Sequence, residues 1–302
     1  MQHILHVFKH GMRLGKERGM LVGELKNERD KRMPIADLRA VVIAARGVTF
    51  SSELIAALAH NHCIVLHAGP DYQPVAVTAG LARIVHAQAA INQGKLTSQE
   101  QARYWRPILR QKIQNQVAHS HALSLPCPIA EYEARQRKPN EARAAKAYWK
   151  NFFNAVNEPI GRDQAGNTPA NAMLNYGYAI LAALCHRAII VHGLNPLYGL
   201  HHVLRARAHA LVYDVIEPLR PFLDAVLVAY LRKKGDRDMQ GWAKFAARRL
   251  GEATLEHPNG KIKFLDGIDV YVKSLADAIG NKEVKQLWVP EFPHRMDSQW
   301  AG

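Results

Sequence analysis

Acidic and imidazole side chains in the second half of the sequence have types and spacings that suit metal chemistry. Glu141 begins the segment EARAAKAYW, a histidine pair ends GLNPLYGLHH, and Asp214 and Glu217 belong to DVIEPLRPFLD. Asp214 and Glu217 are three residues apart, so they share one face of a helix. Two acids placed in this way repel each other unless a positive charge lies between them. These segments are therefore candidates for one shared site.

Glu141 is expected on the buried side of a helix. In PNEARAAKAYWKNFFNAV, apolar residues recur at spacings of three and four, and Glu141 lies one turn before Ala145 on that face. A carboxylate on a buried face is costly unless a cation, a metal or a hydrogen-bond donor meets it. Glu141 is thus a candidate ligand. The alternative is a first-turn acid that complements the helix dipole after Asn140 as N-cap.

A long apolar helix is predicted to hold the histidine pair in place. Thr168 is its N-cap, Pro169 is its first residue, and Gly193 ends it. A helix that is apolar on nearly every side belongs in the middle of a bundle. Either His201 or His202 could present a neutral imidazole to a metal, and a purely structural histidine is the alternative.

Two prolines should bend the helix that carries Asp214 and Glu217. Pro218 and Pro221 cannot donate the backbone hydrogen bonds that the carbonyls of Asp214 and Glu217 would normally accept. The bend therefore lies beside the two acids. The alternative interpretation is a solvated acidic patch in which Glu217 pairs with Arg220, three residues further on.

The composition indicates a folded protein that attracts polyanions. The 302 residues are 48% hydrophobic, which is enough for a packed core, and the formal net charge is +14. Nucleic acid is the leading partner class. Three widely spaced cysteines suggest neither a disulfide framework nor a zinc site, which fits the cytoplasm. No membrane span is expected, because the longest clean apolar run in the most apolar helix is 180–185.

The periodicity of the apolar residues divides the chain into a β-rich part and a helical part. Residues 1 to about 70 alternate as in short strands, with a turn at 17–19 and a short helix capped by Ser51 or Ser52. From about residue 81 the period is helical. The sequence predicts an α+β protein with three parts: a small N-terminal β-rich domain over 1–72, a linker over 73–82, and a larger, mostly α-helical catalytic domain over 83–302.

One histidine and two or three carboxylates on separate rigid elements form a mixed nitrogen and oxygen donor set. Such a set is more typical of a site for Mg²⁺ or Mn²⁺ than of a structural zinc site, which is rich in sulfur. In a basic protein, a divalent ion at an acidic site could neutralise a phosphodiester and lower the pKa of an attacking hydroxyl. Metal-assisted chemistry on nucleic acid is the expectation from the residues.

These segments resemble the CRISPR-associated integrase family, the endonuclease subunit that inserts new spacers during adaptation. The resemblance rests on NEARAAKAYW (140–149), LNYGYAIL through GLNPLYGLHH (174–202) and DVIEPLRPFLD (214–224). It extends to the layout of the chain, because the family joins a small N-terminal β domain to a larger helical catalytic domain. The forms GLHH and EPLRP resemble the variants of type II systems.

The resemblance implies three metal ligands that are also catalytic residues, Glu141, His202 and Glu217, with Mg²⁺ or Mn²⁺ as the metal. Asp214 would lie adjacent and assist catalysis. Of the two neighbouring histidines, the family pattern favours the second, because it places the histidine three positions after a glycine equivalent to Gly199.

The resemblance also implies the reaction and the partners. The reaction is DNA integration, in which a bound metal assists attack of a protospacer 3′-hydroxyl on a phosphodiester at the repeat edge, without a covalent protein intermediate. The partners are DNA, a second copy of the chain in a homodimer formed through the N-terminal domain, and a small dimeric CRISPR-associated protein. Arg205, Arg207 and Arg220 flank the site and could hold phosphates, with ordinary surface arginines as the alternative.

Two other functions fit parts of the sequence. One is a non-catalytic basic nucleic-acid-binding module, in which the acids form only salt bridges. The other is a metallohydrolase for small phosphoesters, which needs a compact pocket and no strong dependence on salt. Metal-dependent strand cleavage or joining distinguishes the first from an integrase, and the salt dependence of DNA binding distinguishes the second.

Overall fold

The computed structural model describes residues 3–69, 74–80, 87–163, 165, 168–202, 209–234 and 238–293. By its internal contacts the chain divides into two compact units, Met1–Arg83 and Ile84–Gly302. The first unit is rich in strands and the second is mostly helical. The α+β fold class that the sequence predicts is therefore confirmed.

Two four-stranded sheets make up most of the N-terminal unit. The strands are β1 (His3–Val7), β2 (Arg13–Glu17), β3 (Met20–Glu24), β4 (Lys31–Pro34), β5 (Leu38–Ile43), β6 (Thr49–Phe50), β7 (Ile64–Ala68) and β8 (Pro74–Thr78), and α1 (Ser52–His60) lies between β6 and β7. One sheet has the strand order β1-β5-β7-β8 and the other has the order β4-β3-β2-β6. Buried residues such as Val41 and Leu54 form the core of this unit.

The turn and the helix cap of this unit lie where short sequence signals predict them. Arg18 and Gly19 have positive φ angles of 45° and 79° between the antiparallel strands β2 and β3. Of the two candidate caps, Ser51 caps α1, because its hydroxyl oxygen accepts the backbone N–H of Leu54. These features depend only on neighbouring residues.

Residues 74–78 differ from the sequence expectation, which assigned 73–82 to a linker. They form β8, which is antiparallel to β7 and lies at the edge of its sheet. Pro74 is the first residue of this edge strand, a position that tolerates proline because no ladder hydrogen bond is required from its nitrogen. Here proline marks the start of a strand.

Helices dominate the C-terminal unit. They are α2 (Ala87–Gly94), α3 (Ser98–Ala122), α4 (Pro128–Arg135), α5 (Glu141–Ala155), α6 (Pro169–Val191), α7 (Ala210–Ile216), α8 (Arg220–Lys234), α9 (Met239–Glu252) and α10 (Phe264–Asn281). An antiparallel hairpin of β9 (Thr254–His257) and β10 (Gly260–Lys263) precedes α10.

Helix α6 is the core helix of this unit, as predicted. Thr168 caps it by accepting the backbone N–H of Asn171, and the helix runs for 23 residues. It packs against α7, α8, α9 and α10. By length and composition α6 could cross a membrane, but 72% of its most apolar window is buried inside the protein. Such burial is typical of a core helix in a soluble protein.

The predicted bend lies between α7 and α8, where Glu217–Leu219 form a single 3-10 turn. The N–H of Glu217 donates to the carbonyl of Asp214, as the tighter turn requires. Pro218 has no N–H to continue the α-helix. The side-chain amide of Asn115, from α3, donates to the carbonyl of Pro218 at 2.7 Å. The break is therefore held by a neighbouring helix, and it places Glu217 at the end of α7.

Replacing Gly177 in α6 by alanine should destabilise the helical unit. A Cβ at position 177 would lie 2.3 Å from Cδ2 of Leu223 in α8, and Leu223 is fully buried. Alanine normally stabilises a helix interior by about 1 kcal/mol relative to glycine, but overpacking a core costs about 1–3 kcal/mol. We expect Gly177→Ala to lower the midpoint of urea unfolding.

The matched control is Gly161→Ala, because a Cβ at position 161 meets nothing within 4 Å. Its unfolding midpoint should stay close to that of the wild type. A midpoint for Gly177→Ala equal to or above the wild-type value would show that α6 and α8 are not in close contact at this point.

Candidate metal centre

Two carboxylates from different elements meet at one lysine inside the helical unit. Oε1 of Glu141, the first residue of α5, lies 2.6 Å from Nζ of Lys112. Oε2 of Glu217, in the turn between α7 and α8, lies 2.5 Å from the same atom. Lys112 belongs to α3 and is only 7% exposed, and Glu217 is 4% exposed. Three segments that are distant in sequence therefore converge on one cation.

Glu141 fits both interpretations that the sequence left open. Asn140 caps α5 by accepting the N–H of Arg143, so Glu141 occupies the first helical position, where an acid complements the helix dipole. The same carboxylate accepts a hydrogen bond from Lys112. The side chain of Glu141 is one-third exposed, so it is less buried than the apolar face of its helix suggested.

Glu217 is held between two cations. Its Oε1 lies 3.1 Å from the guanidinium of Arg220, and its Oε2 contacts Lys112. Burial raises the pKa of this carboxyl, but Arg220 and Lys112 outweigh that effect, and the pKa lies below its usual value. The pair with Arg220 that the sequence suggested for a solvated patch is thus present, but it is buried.

Lys112 is the described partner of the second oxygen of Glu217. Its Nζ forms an ion pair with Oε2 at 2.5 Å. No other donor of the described residues reaches this buried oxygen. The ammonium therefore compensates an oxygen that burial would otherwise leave without a partner.

Asp214 is fully buried and orients the loop that carries the histidines. Its Oδ2 accepts the backbone N–H groups of Leu200 and His201, and its Oδ1 accepts that of His202. Nδ1 of His202 donates to the same Oδ1 over 2.7 Å. This bond sets the tautomer of His202 and leaves Nε2 as the nitrogen that can bind a ligand. Because both its oxygens are occupied, Asp214 is a positioning residue in this structure.

The ring of Trp105, from α3, contacts each of the two neighbouring histidines in a different geometry. Its ring stacks on His201 with the ring centroids 4.8 Å apart and an interplanar angle of 2°. His202 meets the same ring edge-on. The hydrogen bond to Asp214 raises the pKa of His202, and the charge of Glu217 adds to this effect. His202 therefore lies within electrostatic reach of Glu217 as well as of Asp214.

Glu141 and Glu217 are brought together around Lys112, and His202 lies beside Asp214. In the part of the chain that the structure describes, no three His, Cys, Asp or Glu side chains lie close enough to hold an ion as they stand. The donor set nevertheless fits a hard divalent ion, because it offers carboxylate oxygens that already share one cation, together with an oriented imidazole.

Of the three arginines predicted to hold phosphates, Arg220 is among the described residues. Arg205 and Arg207 lie outside the described residues. Arg220 pairs with Glu217, and its guanidinium lies 4.8 Å from the ring centre of Tyr178. In this structure Arg220 neutralises a carboxylate of the centre.

The buried acid Asp224 was not predicted from the sequence to belong to the site. Asp224 accepts hydrogen bonds from the hydroxyls of Tyr148, at 2.6 Å, and Tyr178, at 2.5 Å. The ring of Tyr178 contacts Arg220, so this network reaches Glu217 through Arg220. The available signal was the spacing of seven residues between Glu217 and Asp224, which is two helical turns.

Helix α3 supplies further residues that the sequence analysis did not single out. Trp105, Lys112 and Asn115 are all buried on the side of α3 that faces the centre. They are separated by seven and three residues, which places them on one stripe of the helix. A lysine and an asparagine within such an apolar stripe were the signal that could have revealed them.

The sequence is similar to one protein family and to named proteins within it. The sequence matches the family described as CRISPR associated protein Cas1 over residues 5–124 and 136–248. A CRISPR-associated endonuclease Cas1 of Pyrobaculum aerophilum is 30% identical over 272 residues, which cover 84% of this chain and 90% of the relative. The CRISPR-associated endonuclease Cas1 of Neisseria meningitidis serogroup C is 27% identical over 299 residues, which cover 95% of each chain.

Solved structures with the same fold include proteins bound to DNA or to other proteins. A casposase bound to an integration product has a TM-score of 0.79 at 18% identity, covering 99% of this chain and 96% of that one. A DNA complex of TtCas1 has a TM-score of 0.61 at 18% identity, covering 90% and 91%. A Cas6-RT-Cas1–Cas2 complex has a TM-score of 0.67 at 12% identity, covering 98% of this chain and 36% of that one.

The buried carboxyl of Asp224 should make the stability depend on pH. Burial raises its pKa from 3.8 to about 7, although the hydroxyls of Tyr148 and Tyr178 act in the opposite direction. Between these values the folded chain holds a proton that the unfolded chain has lost, so the free energy of unfolding should fall as pH rises. Asp224→Asn removes this titration.

We expect the advantage of the wild type over Asp224→Asn, measured by urea unfolding, to shrink as pH rises from about 4 to about 7. The change should be on the order of 1.4 kcal/mol per pH unit within that window. A difference between the two proteins that stays constant across the window would contradict the raised pKa.

Proposed function

The chain belongs to the Cas1 family of CRISPR-associated proteins, and on this basis we propose that it is a divalent-metal-dependent DNA integrase and endonuclease. The observation that carries the proposal is the convergence of Glu141 and Glu217 on one cation position. The relatives described above are named endonucleases, and a protein of the same fold is bound to an integration product.

The proposed ligands are Glu141, Glu217 and Nε2 of His202, with Mg²⁺ or Mn²⁺ as the ion. When bound, such an ion would neutralise the charge of a phosphodiester and lower the pKa of an attacking hydroxyl. Asp214 holds the proton of His202 on Nδ1, which would leave the lone pair of Nε2 available to an ion. Arg220 balances part of the charge of Glu217 through the other oxygen, Oε1.

The proposed reaction is a transesterification of DNA. The 3′-hydroxyl of a protospacer end attacks the phosphorus of a phosphodiester at the edge of a repeat and loses its proton. A new P–O bond forms while the bond from phosphorus to the 3′-oxygen of the displaced strand breaks. That oxygen takes up a proton and leaves as a free 3′-hydroxyl, so no covalent bond to the protein is made. Water in place of the attacking hydroxyl gives hydrolysis, which is the endonuclease activity.

The proposed partners are DNA, a second copy of the chain and a small dimeric CRISPR-associated protein. The formal net charge of +14 favours contact with DNA phosphates. Two of the structural neighbours are a DNA complex and a complex that includes a Cas2 protein, and these support the first and the last of the three. The homodimer, formed through the N-terminal unit, and a cytoplasmic location remain predictions.

Removing a proposed ligand should abolish strand joining and leave DNA binding intact. We expect Glu141→Gln and His202→Ala to lower the initial rate of joining with Mn²⁺ by at least about 100-fold, because electrostatic stabilisation of the reacting phosphate is lost. The rate is measured with labelled branched DNA, and binding is measured by fluorescence anisotropy. The matched control is His201→Ala, which removes the stacked neighbour and should keep the rate within about tenfold of wild type.

Equal losses in His201→Ala and His202→Ala would contradict the assignment of His202. A wild-type protein that binds branched DNA but neither cleaves nor joins it with any divalent metal would favour the non-catalytic binding module.

DNA affinity should fall steeply as salt rises. Each neutralised phosphate releases counterions, so the logarithm of the binding constant should decrease with the logarithm of salt concentration with a slope of about −0.9 per contacted phosphate. We expect a slope steeper than about −4 for duplex DNA. A nearly flat response would instead favour an enzyme for small phosphoesters.

A further inference from the structure

We infer that Lys112 is a resident cation that occupies the metal position and must be displaced before a divalent ion binds. Lys112 is thus a positioning residue that sets the metal affinity of the centre. This inference rests on the proposed metal-dependent function and adds to it a residue from a helix that supplies none of the proposed ligands.

The placement of the ammonium group is the first argument. Nζ of Lys112 lies 2.6 Å from Glu141 and 2.5 Å from Glu217, the two carboxylates proposed as ligands. Its side chain is almost completely removed from solvent. A buried lysine is rare unless it is paired, and here both of its described ion pairs are with the carboxylates of the centre.

The second argument is that the ammonium and a metal would compete for the same atoms. Mg²⁺ binds carboxylate oxygens at about 2.0–2.1 Å and requires a near-octahedral shell. An ammonium within hydrogen-bonding distance of Oε1 of Glu141 and Oε2 of Glu217 occupies the space between them. Two positive groups in that space would repel each other, so metal binding requires that Nζ move away.

The third argument concerns how firmly Lys112 is held. Its ammonium contacts Glu141 at 2.6 Å and Glu217 at 2.5 Å, and it has a single positive charge to share between the two carboxylates. Each carboxylate therefore receives only part of that charge. A divalent ion, with twice the charge and a direct bond to each oxygen, can replace such a contact, whereas a monovalent ion gains less.

The fourth argument is the state of the centre without metal. Arg220 contacts Oε1 of Glu217, but Lys112 is the cation that contacts both Glu141 and Glu217. Uncompensated like charges at this distance would push the helices apart. Lys112 therefore keeps the metal-free centre assembled, and the same interaction weakens metal binding because it has to be given up.

The test measures Mn²⁺ binding to the full chain without DNA. The electron paramagnetic resonance signal of the free ion is the readout. We expect Lys112→Met, which keeps the length of the side chain and removes its charge, to bind Mn²⁺ at least about tenfold more tightly than wild type. Lys112→Arg retains a competing cation and should not bind more tightly. The matched control is Lys146→Met, which removes an exposed lysine of α5 and should leave the affinity unchanged.

Unchanged or weaker Mn²⁺ binding by Lys112→Met would overturn the inference, because Lys112 would then support the ligands without competing for them. If that variant does not fold, as judged by near-ultraviolet circular dichroism, Lys112→Gln carries the same comparison. A crystal structure of the Mn²⁺-loaded wild type gives an independent result: Nζ must have left the space between the two carboxylates, and an ion bound elsewhere with Nζ in place overturns the inference.

The outcomes also separate this inference from the proposed function. In one outcome the wild type binds Mn²⁺ and joins DNA, and Lys112→Met has the same Mn²⁺ affinity. This result would remove the role of Lys112 and leave the integrase proposal intact. Absence of Mn²⁺ binding in both wild type and Lys112→Met would overturn the metal centre itself and the inference with it.

Discussion

The mutual repulsion of Glu141 and Glu217 is the constraint on which the helical unit depends. One carboxylate starts α5 and the other lies in the turn between α7 and α8, and both approach Nζ of Lys112. Two carboxylates that approach one point inside a protein can both stay ionised only with a cation between them, and otherwise one of them takes up a proton. The protein supplies that cation from a third helix, so the packing of α3 against α5 and α7 is tied to the charge balance of the centre.

A second set of contacts fixes the groups around this pair. Asp214 uses both of its oxygens to hold the loop that carries His202. Arg220 lies between Glu217 and the ring of Tyr178, whose hydroxyl donates to Asp224. These contacts orient the imidazole and balance the charge of Glu217. A divalent ion would still require Lys112 to leave and the proposed ligands to move closer together, but the tautomer of His202 would already be set by Asp214.

The interruption between α7 and α8 shows how backbone chemistry serves the centre. A continuous helix would keep Asp214 and Glu217 on one face, one turn apart. Pro218 and the 3-10 turn change the direction of the chain at Glu217, and Asn115 satisfies the carbonyl of Pro218. Asp214 therefore faces the histidine loop, whereas Glu217 faces Lys112. Asp214 and Glu217 contact different partners because the helix is broken between them.

Much of the local structure could be predicted from the sequence, because caps, turns, prolines and apolar periodicity act over a few residues. The caps of α5 and α6 and the break at Glu217 are in this class. The acids and histidine of the centre were predicted from their types and from a resemblance to a family. The strand β8 was missed because its partner, β7, decides its conformation.

Only the tertiary structure decided which groups meet. The sequence placed Lys112 on a helix, but nothing near it in the chain indicates Glu141, 29 residues away, as its partner. Nor could the sequence predict on chemical grounds that His202 would donate to Asp214 and that His201 would stack on Trp105, because both partners come from other elements. The physical reason is that local signals set the conformation of each element, whereas the charge of a buried site is balanced by whichever side chains the packing of the helices brings together.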